Sequence, residues 1–322
     1  MKTYKELYTA VETQISSLSF TGNPQNLYDP IGYMLSLGGK RLRPVLCLMA
    51  NDMFGGEAQH AMPAALAVEV FHNFTLVHDD IMDNAPIRRG KPTVHEKWNQ
   101  TIAILSGDLM MIKAIDLLVS TQKTDVGKLI QIFNKAAAEV CEGQQLDMNF
   151  ENLNEVQVQQ YLDMITLKTA VLLGASLKLG ATIAGATDDD AEKLYLFGKH
   201  IGVAFQIQDD LLDAFGEGDK VGKKIGGDIA ANKKTLLWIE ALRLADASDK
   251  DALNSCIGMT NEKEKINKVI DLYKKLGVLE VCEQLKKEQL QLAFAYLDAI
   301  SVGAEKKQVL KNSAIELMER MS

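Results

Sequence analysis

Hydrophobic residues along this chain recur mostly at helical spacing. In four long segments, 64–82, 102–119, 129–141 and 194–215, apolar side chains return every three or four residues. Runs of β-branched residues bounded by turn residues, which are typical of strands, are nearly absent. All six prolines lie within the first 92 residues of the 322-residue chain, so long helices are possible in the remainder. The pattern predicts an all-α protein.

Glycine clusters mark the expected loops between these helices. They lie at Gly38-Gly39, at Gly55-Gly56 and within 216–227. Neither an internal repeat nor a low-complexity linker separates the helical segments. We therefore expect one helical domain over 1–322.

Composition and charge limit the class of protein, its cellular compartment and its partners. Hydrophobic residues make up 47% of the chain and charged residues 24%, as in a globular protein with a sizeable core. The N-terminus has scattered charges and no apolar stretch, which argues against a signal peptide. No window is expected to approach the roughly 20 apolar residues of a membrane span. The four cysteines are far apart and predict reduced thiols in a cytoplasmic protein. A net charge of −8 argues against nucleic acid as a partner.

Two aspartate-rich segments carry the first chemical signal. Asp79 and Asp83 are four residues apart, which on a helix places their Cβ atoms roughly 6 Å apart on one face. Asp209 and Asp213 repeat this spacing. Magnesium prefers oxygen ligands and commonly bridges one or two carboxylates to substrate phosphates. A single such motif is more often a solvated acidic face, but its recurrence after strongly apolar helices favours two metal sites.

Cationic residues cluster near these carboxylates. The segment GGKRLRP at 38–44 places three cations beside a glycine pair, and Arg88-Arg89 follows the first aspartate motif just beyond Pro86. The planar fork of arginine suits diphosphate, although GGKRLRP alone also fits a helix start with snorkelling basic residues. His72 lies two helical turns before Asp79. A lone histidine is more often structural, but the neighbours of His72 favour a phosphate donor. Lys168 lies inside an apolar helical stretch, where an isolated lysine usually snorkels but could point into a cavity.

The order of these motifs resembles the trans-isoprenyl diphosphate synthase (polyprenyl synthetase) family. The segments GGKRLRP, EVFHNFTLVHDDIMD, RRGKPT, SGD, GQQLD, KTA, FQIQDDLLD and GKKIGGDI occur in the family's order. The resemblance covers the motif-bearing core at about 35–240. It implies an all-α isoprenoid synthase fold, a bundle of long helices around a central cavity, and a homodimer. The two aspartate motifs would face each other across the cavity mouth. It also implies a short-chain prenyltransferase that joins isopentenyl diphosphate to an allylic diphosphate.

The resemblance further implies roles for individual residues. Three Mg²⁺ ions would be bound directly by Asp79, Asp83 and Asp209, with Asp80, Asp210 and Asp213 in support. The allylic diphosphate would be bound by Arg88, Lys168, Lys223, Lys233 and Gln206, with Gln144 and Asp147 facing the same site. Isopentenyl diphosphate would be bound by Lys40, Arg43, His72 and Arg89.

The mechanism implied by the family needs little from protein acids or bases. Magnesium and cations such as Lys168 and Lys233 stabilise the departing diphosphate, and the isopentenyl double bond attacks the resulting allylic cation. The departed diphosphate then removes the proton. Thr169 and Gln206 would ease the positive charge with their oxygen dipoles, and water must be excluded from the site.

Residues just before Asp79 are expected to set product length, because the prenyl tail would run back along that helix. Phe74 lies five residues and Thr75 four residues upstream, and a lone aromatic residue at the first position resembles archaeal-type geranylgeranyl synthases. We therefore favour geranylgeranyl over farnesyl diphosphate, unless Phe71 or a facing helix sets the limit. A terpene cyclase and a non-catalytic synthase subunit are the alternatives; the first would lack GGKRLRP, and the second would have lost motifs that are present here.

Overall fold

The computed structural model describes residues 1–122, 124–216 and 225–319, and it confirms the all-α prediction. The first helices are Tyr4–Ser17 (α1), Gln25–Ser36 (α2), Leu42–Met53 (α3), Ala58–Met82 (α4), Val94–Lys97 (α5) and Gln100–Val119 (α6). The middle of the chain forms Val126–Glu151 (α7), Val158–Ile165 (α8), a π-helical turn at Thr166–Ala170, Val171–Ile183 (α9) and Asp188–Phe215 (α10). The remaining helices are Gly227–Ala230 (α11), Leu236–Leu244 (α12), Ala247–Ile257 (α13), Glu262–Lys275 (α14), Val278–Asp298 (α15) and Ala304–Glu319 (α16).

All four segments with helical periodicity lie inside long helices, namely α4, α6, α7 and α10. The glycine pairs at 38–39 and 55–56 lie in the loops on either side of α3, as predicted. Part of the third glycine cluster, 217–224, lies outside the described residues. Two short strands, Ile87–Arg88 (β1) and Lys91–Pro92 (β2), form an antiparallel hairpin after α4.

The chain divides into two compact units. Unit 1 comprises 1–135, 175–195 and 301–306, and unit 2 comprises 136–174, 196–300 and 307–322. The single-domain assignment stays a prediction. The first aspartate motif and the basic cluster belong to unit 1, whereas the second aspartate motif belongs to unit 2.

Unit 1 is organised around helix α4, which is apolar on most of its circumference. Its buried side chains include Leu66, Val68 and Phe71, and α4 packs against α3 and α6. A helix that is apolar nearly all round is stable only when neighbouring helices cover it. The C-terminal end of α4 therefore carries the first motif on a firmly packed element.

Unit 2 has its own hydrophobic core. Helices α8, α10, α12, α14 and α15 contribute buried residues to one cluster, which includes Tyr161, Ile207, Leu237, Val269 and Cys282. The second aspartate motif lies on α10 at the edge of this cluster. Leu211 and Leu212, which lie between Asp210 and Asp213, are buried, so packing fixes the orientation of this part of the helix.

The helical run Val158–Ile183 is long and apolar enough to cross a membrane by length and composition. The expectation that no window approaches this composition was therefore wrong. Within the protein, 72% of that window is buried, as in the core helix of a globular fold. An apolar composition is expected of a helix that neighbouring protein segments cover on most sides.

Candidate active site

The first aspartate motif lies at the C-terminal end of α4. Asp83 is the C-cap residue, and its backbone N–H donates to the carbonyl of Asp79 at 2.8 Å. Asp79 is half-buried and Asp83 is exposed, whereas Asp80 is only 1% exposed. Asp79 and Asp83 lie one helical turn apart at the accessible end of the helix, as their spacing predicted.

Asp80 is committed to a protein partner. The Nε atom of Arg88 lies 2.9 Å from both carboxylate oxygens, and its Nη2 atom lies 2.7 Å from Oδ1. The β1–β2 hairpin positions Arg88, and its tight turn requires positive φ at Arg89 (53°) and Gly90 (73°). A buried carboxylate held by an arginine fork fits a supporting role in the motif, and Arg88 is thereby placed beside it.

A basic cluster lies near the same end of unit 1. The Nη1 atom of Arg43 and the Nε2 atom of His72 are 3.1 Å apart, and Nη1 of Arg89 donates to the carbonyl of Gly38. Gly39 has φ of 147°, and a Cβ atom there would lie 3.0 Å from the Arg89 guanidinium. Glycine is therefore needed where the loop and Arg89 meet. Lys40 is exposed at the edge of this loop.

The electrostatics of this cluster suit an anion. Burial and the charges of Arg43, Arg89, Arg88 and Arg41 hold the pKa of His72 well below its usual value, so the imidazole is neutral at pH 7. Burial also lowers the pKa of Arg43 to about 10, and it lowers that of Arg89. In the neutral imidazole, Nε2 accepts from Arg43 and Nδ1 carries the proton. Both arginines remain cationic at neutral pH, and a bound anion would compensate charges that burial makes unfavourable.

Phe74 and its neighbours form an aromatic group one to two turns before Asp79. Phe74 is half-buried, with its ring centroid 5.5 Å from that of Phe71 and 4.8 Å from that of His78. Phe71 is 1% exposed and packs edge-on against Phe133. The hydroxyl of Thr75 donates to the carbonyl of His72 at 2.8 Å. Phe71 thus belongs to the core, whereas Phe74 lies at its border.

The second motif centres on a buried carboxylate. Asp210 is 4% exposed and accepts hydrogen bonds from the Tyr161 hydroxyl at 2.5 Å and from Nε2 of Gln206 at 3.2 Å. Burial raises the pKa of Asp210 to about 7, and the charges of Asp228 and Asp209 act in the same direction. Crowded carboxylates of this kind are stabilised by cations.

The π-helical turn between α8 and α9 presents Lys168 and Thr169. Nζ of Lys168 donates to Asp147 Oδ2 at 2.6 Å, and the hydroxyl of Thr169 lies 3.4 Å from Oε1 of Gln206. Gln144, on the same helix as Asp147, is half-buried. A continuous hydrogen-bonded path therefore links Thr169, Gln206, Asp210 and Tyr161. Lys168 is not an isolated snorkelling lysine, since it forms an ion pair.

Asp213 anchors the backbone at the start of α11. Its carboxylate accepts the N–H groups of Gly227 at 3.2 Å and Asp228 at 3.1 Å. Nζ of Lys233 lies 3.7 Å from Asp228 Oδ1, and its side chain is 59% exposed. Asp209 is half-buried on α10. Lys223 lies outside the described residues.

The donor set in both motifs fits magnesium. All six aspartates offer oxygen, the donor atom that Mg²⁺ prefers. In the described part of the chain, no three His, Cys, Asp or Glu side chains already surround a common metal position. Mg²⁺ usually takes only one or two protein carboxylates and completes its octahedron with water and phosphate oxygens. Each motif is suited to bind the ion together with a phosphorylated ligand.

Sequence reasoning missed two groups that shape these sites. Tyr161, a single tyrosine in an apolar helix, gave no signal for its hydrogen bond to Asp210. Arg41 lay within GGKRLRP, but nothing in the motif distinguished it from Arg43 as the arginine whose side chain is enclosed by protein. Tertiary partners distant in sequence determine both roles.

The chain is similar to known proteins in sequence and in structure. The family model for polyprenyl synthetase matches residues 24–276. Geranylgeranyl diphosphate synthase of Sulfolobus acidocaldarius is 38% identical over 92% of this chain and 91% of its own length. The short chain isoprenyl diphosphate synthase of Methanocaldococcus jannaschii is 42% identical over 80% of this chain and 79% of its own. A crystal structure of a geranylgeranyl pyrophosphate synthase superposes with a TM-score of 0.92, 42% identity and full coverage of both chains.

Proposed function

This chain belongs to the polyprenyl synthetase family and is a prenyltransferase, and we propose that it condenses isopentenyl diphosphate with an allylic diphosphate to make geranylgeranyl diphosphate. The observation that carries the proposal is the pairing of two oxygen-donor motifs with a separate basic cluster of Arg43, His72 and Arg89. One substrate would be held through metal and the other through arginines.

The basic cluster in unit 1 would bind isopentenyl diphosphate. Arg43 and Arg89 are cationic and partly desolvated, so their hydrogen bonds to a diphosphate would be strong. The protonated nitrogen of neutral His72 would donate to a phosphate oxygen, and the exposed Lys40 would add a flexible charge. These groups would fix the double bond for attack without taking part in proton transfer.

The aspartate motifs would hold the allylic diphosphate with magnesium, on which the family's enzymes generally depend. Three bound ions, as the family implies, would neutralise the diphosphate and favour its departure. Asp79, Asp83 and Asp209 would be the direct ligands, while Asp80, Asp210 and Asp213 would orient them through the partners described above. Arg88, Lys168, Lys223 and Lys233 would bind phosphate oxygens.

The side-chain oxygens of Thr169 and Gln206 would stabilise the allylic cation. The two side-chain oxygens lie within 3.4 Å of each other, and Gln206 is oriented by its donated hydrogen bond to Asp210. Since Nε2 of Gln206 is engaged by Asp210, its Oε1 is directed away from that carboxylate. Preorganised oxygen dipoles lower the energy of a nearby positive charge with little rearrangement.

Product length is proposed to be set beside Phe74. The half-buried ring stands at the border of the core, and the small Thr75 leaves space on the face of α4 that carries Asp79. Several relatives, including those of Sulfolobus acidocaldarius and of Methanosarcina mazei, the latter 43% identical over 72% of both chains, are geranylgeranyl diphosphate synthases. A geranylgeranyl product is therefore favoured over farnesyl diphosphate.

A cytoplasmic homodimer is the proposed assembly. Helix α6 exposes Leu105, Ile112 and Val119, which are 53%, 55% and 49% exposed and lie seven residues apart on one face. The opposite face of α6, which includes Ala103 and Ala114, is buried, and α6 packs on α4. A regular apolar stripe on a helix that is already packed on its other side supports association with a second copy.

Incubation of the purified chain with isopentenyl diphosphate, dimethylallyl diphosphate and Mg²⁺ tests the proposal. We expect geranylgeranyl diphosphate, identified by chromatography after dephosphorylation, and no product when EDTA replaces Mg²⁺. Hydrocarbon release from a prenyl diphosphate alone would instead identify a terpene cyclase. Failure to condense any allylic starter with any divalent metal would favour a non-catalytic subunit and contradict the proposal.

A further inference from the structure

Arg41 is an arginine of the GGKRLRP segment that is committed to the protein interior. Its side chain is 1% exposed, and each of its three nitrogens has an acceptor. Nε donates to Glu12 at 2.5 Å, Nη1 to Glu69 at 2.7 Å and Nη2 to the carbonyl of Leu35 at 2.7 Å. These acceptors come from α1, α4 and α2. The guanidinium therefore ties three helices to the residue just before α3.

The backbone at Arg41 also depends on this network. Its φ of 46° and ψ of 36° lie in the left-handed region, which residues other than glycine adopt at an energetic cost. The residue is the N-cap of α3, so its conformation sets the direction in which the helix leaves the loop. Arg43 lies in the first turn of α3, and the preceding glycines contact Arg89. The conformation of Arg41 thus fixes both arginines.

Glu69 supplies the matching negative charge from α4. It is 3% exposed, and Nδ2 of Asn73 donates to its Oε1 atom at 3.1 Å and to its carbonyl at 2.8 Å. Glu69 precedes His72 by one helical turn. Burial lowers the pKa of Arg43 and of Arg89, and the negative charge of Glu69 acts in the opposite direction on both. Without it, three arginines near His72 would repel one another.

We propose that the Arg41–Glu69 ion pair positions the basic cluster and so sets the affinity for the homoallylic diphosphate. The pair holds Arg43, His72 and Arg89 at convergent positions, without touching the substrate itself. This inference rests on the proposed function, in which that cluster binds isopentenyl diphosphate. The effect on affinity is expected for isopentenyl diphosphate and not for the allylic substrate, because the ion pair lies in the loop and the α4 segment around His72.

Steady-state kinetics of Arg41→Lys and Glu69→Gln test the proposal. Lysine keeps the charge but cannot donate in three fixed directions, and glutamine keeps the shape but removes the countercharge. We expect the KM for isopentenyl diphosphate to rise about tenfold or more, while kcat and the KM for the allylic substrate change less than about twofold, the pattern of lost ground-state binding. The double variant should be less impaired than the sum of the single effects.

A matched control is Arg243→Lys. Nε of Arg243 donates to Glu240 at 2.6 Å, and Glu240 is 3% exposed, so the change also perturbs an ion pair with a buried carboxylate, but in unit 2. Both KM values should stay unchanged. Equal loss in both KM values and kcat for Arg41→Lys and Glu69→Gln would indicate a merely structural pair and overturn the proposal.

Arg43→Lys distinguishes an error in the positioning role of the ion pair from an error in the proposed pocket for isopentenyl diphosphate. If it raises the KM for isopentenyl diphosphate while Arg41→Lys and Glu69→Gln do not, only the positioning role is wrong. If it also has no effect, the assignment of the pocket fails. Circular dichroism melting of each variant accompanies the kinetics. Should Arg41→Lys unfold, Glu69→Gln and the shorter Glu69→Asp carry the test, and unfolding of all three would contradict a local positioning role.

Discussion

At the scale of single residues, burial has moved two titratable groups in directions that matter for ligand binding. His72 is kept neutral among arginines, and Asp210 has a pKa of about 7 beside Tyr161. In each case burial among like charges disfavours the charged form of the side chain. An anion would compensate the arginines around His72, and a cation would compensate the carboxylates around Asp210.

The state of His72 predicts how stability depends on pH. Its pKa is lower in the native state, so the unfolded chain binds more protons below about pH 6.5 and stability rises with pH up to that value. As the pH falls from about 6.5 to 5, His72 should lower the free energy of unfolding of the ligand-free protein by up to about 1.4 kcal/mol per pH unit. In urea unfolding, the His72→Gln variant should lose less stability than the wild-type protein as the pH falls below about 6.5.

His60→Gln is the control for that measurement, because His60 lies on the same helix, in its first turn. Its pH dependence should follow that of the wild-type protein. Parallel stability curves for wild-type protein and His72→Gln would show that His72 is not the group responsible.

Phe74 is the residue on which the proposed product length depends. Phe74→Ala should release space beside the tail and shift the product by at least one isoprene unit beyond geranylgeranyl diphosphate, at a stability cost of up to about 3 kcal/mol. Chromatography of dephosphorylated products measures the shift. Phe54→Ala, which removes a half-buried phenylalanine at the end of α3, should leave the product unchanged. An unchanged distribution for Phe74→Ala would exclude Phe74 as the limit.

At the scale of elements, the π-helical turn is held by an unusually close approach of α7. A Cβ atom on Gly143 would lie 2.2 Å from the backbone nitrogen of Lys168 and 2.7 Å from the carbonyl carbon of Leu167. Only glycine lets the two backbones come this near. The ion pair between Lys168 and Asp147, one turn further along α7, depends on the same approach.

Gly143→Ala should therefore push the π-helical turn away from α7. We expect a loss of at least about 2 kcal/mol in unfolding free energy, as for overpacked cores, together with a lower kcat, because Lys168 and Thr169 move. Gly32→Ala is the matched control, since open space surrounds that position in α2 and alanine should stabilise the helix by about 0.5–1 kcal/mol. Equal effects of the two substitutions on thermal unfolding would contradict the close-packing argument.

At the scale of the whole molecule, the exposed apolar stripe of α6 is the feature that predicts assembly. In a twofold dimer each substitution occurs twice at one interface, so a new charge is strongly disruptive. Ile112→Glu should convert the dimer to monomer in sedimentation velocity and weaken association by about a hundredfold or more. Leu292→Glu, at a 45% exposed leucine on α15, should leave the dimer intact. A monomeric wild-type protein would refute the assembly.

The sequence alone determined the helices, the loops beside α3 and the identity of the motifs. These features depend on residues close together in the chain. Helical periodicity is a property of a short window of sequence, and glycine allows a turn because it has no Cβ atom. The resemblance carried by GGKRLRP and the two aspartate segments gave the family. The spacing of Asp79 and Asp83 also fixed their shared helix face without any tertiary information.

Only the tertiary structure decided which members of each motif turn inward. Arg41 and Arg43 are equivalent cations in the sequence, yet Arg41 is enclosed by Glu12 and Glu69 while Arg43 meets His72. Asp80 and Asp210 likewise acquire Arg88 and Tyr161 as partners. Burial of a charge is favourable only where partners from other elements compensate it, and such partners have no fixed spacing in sequence.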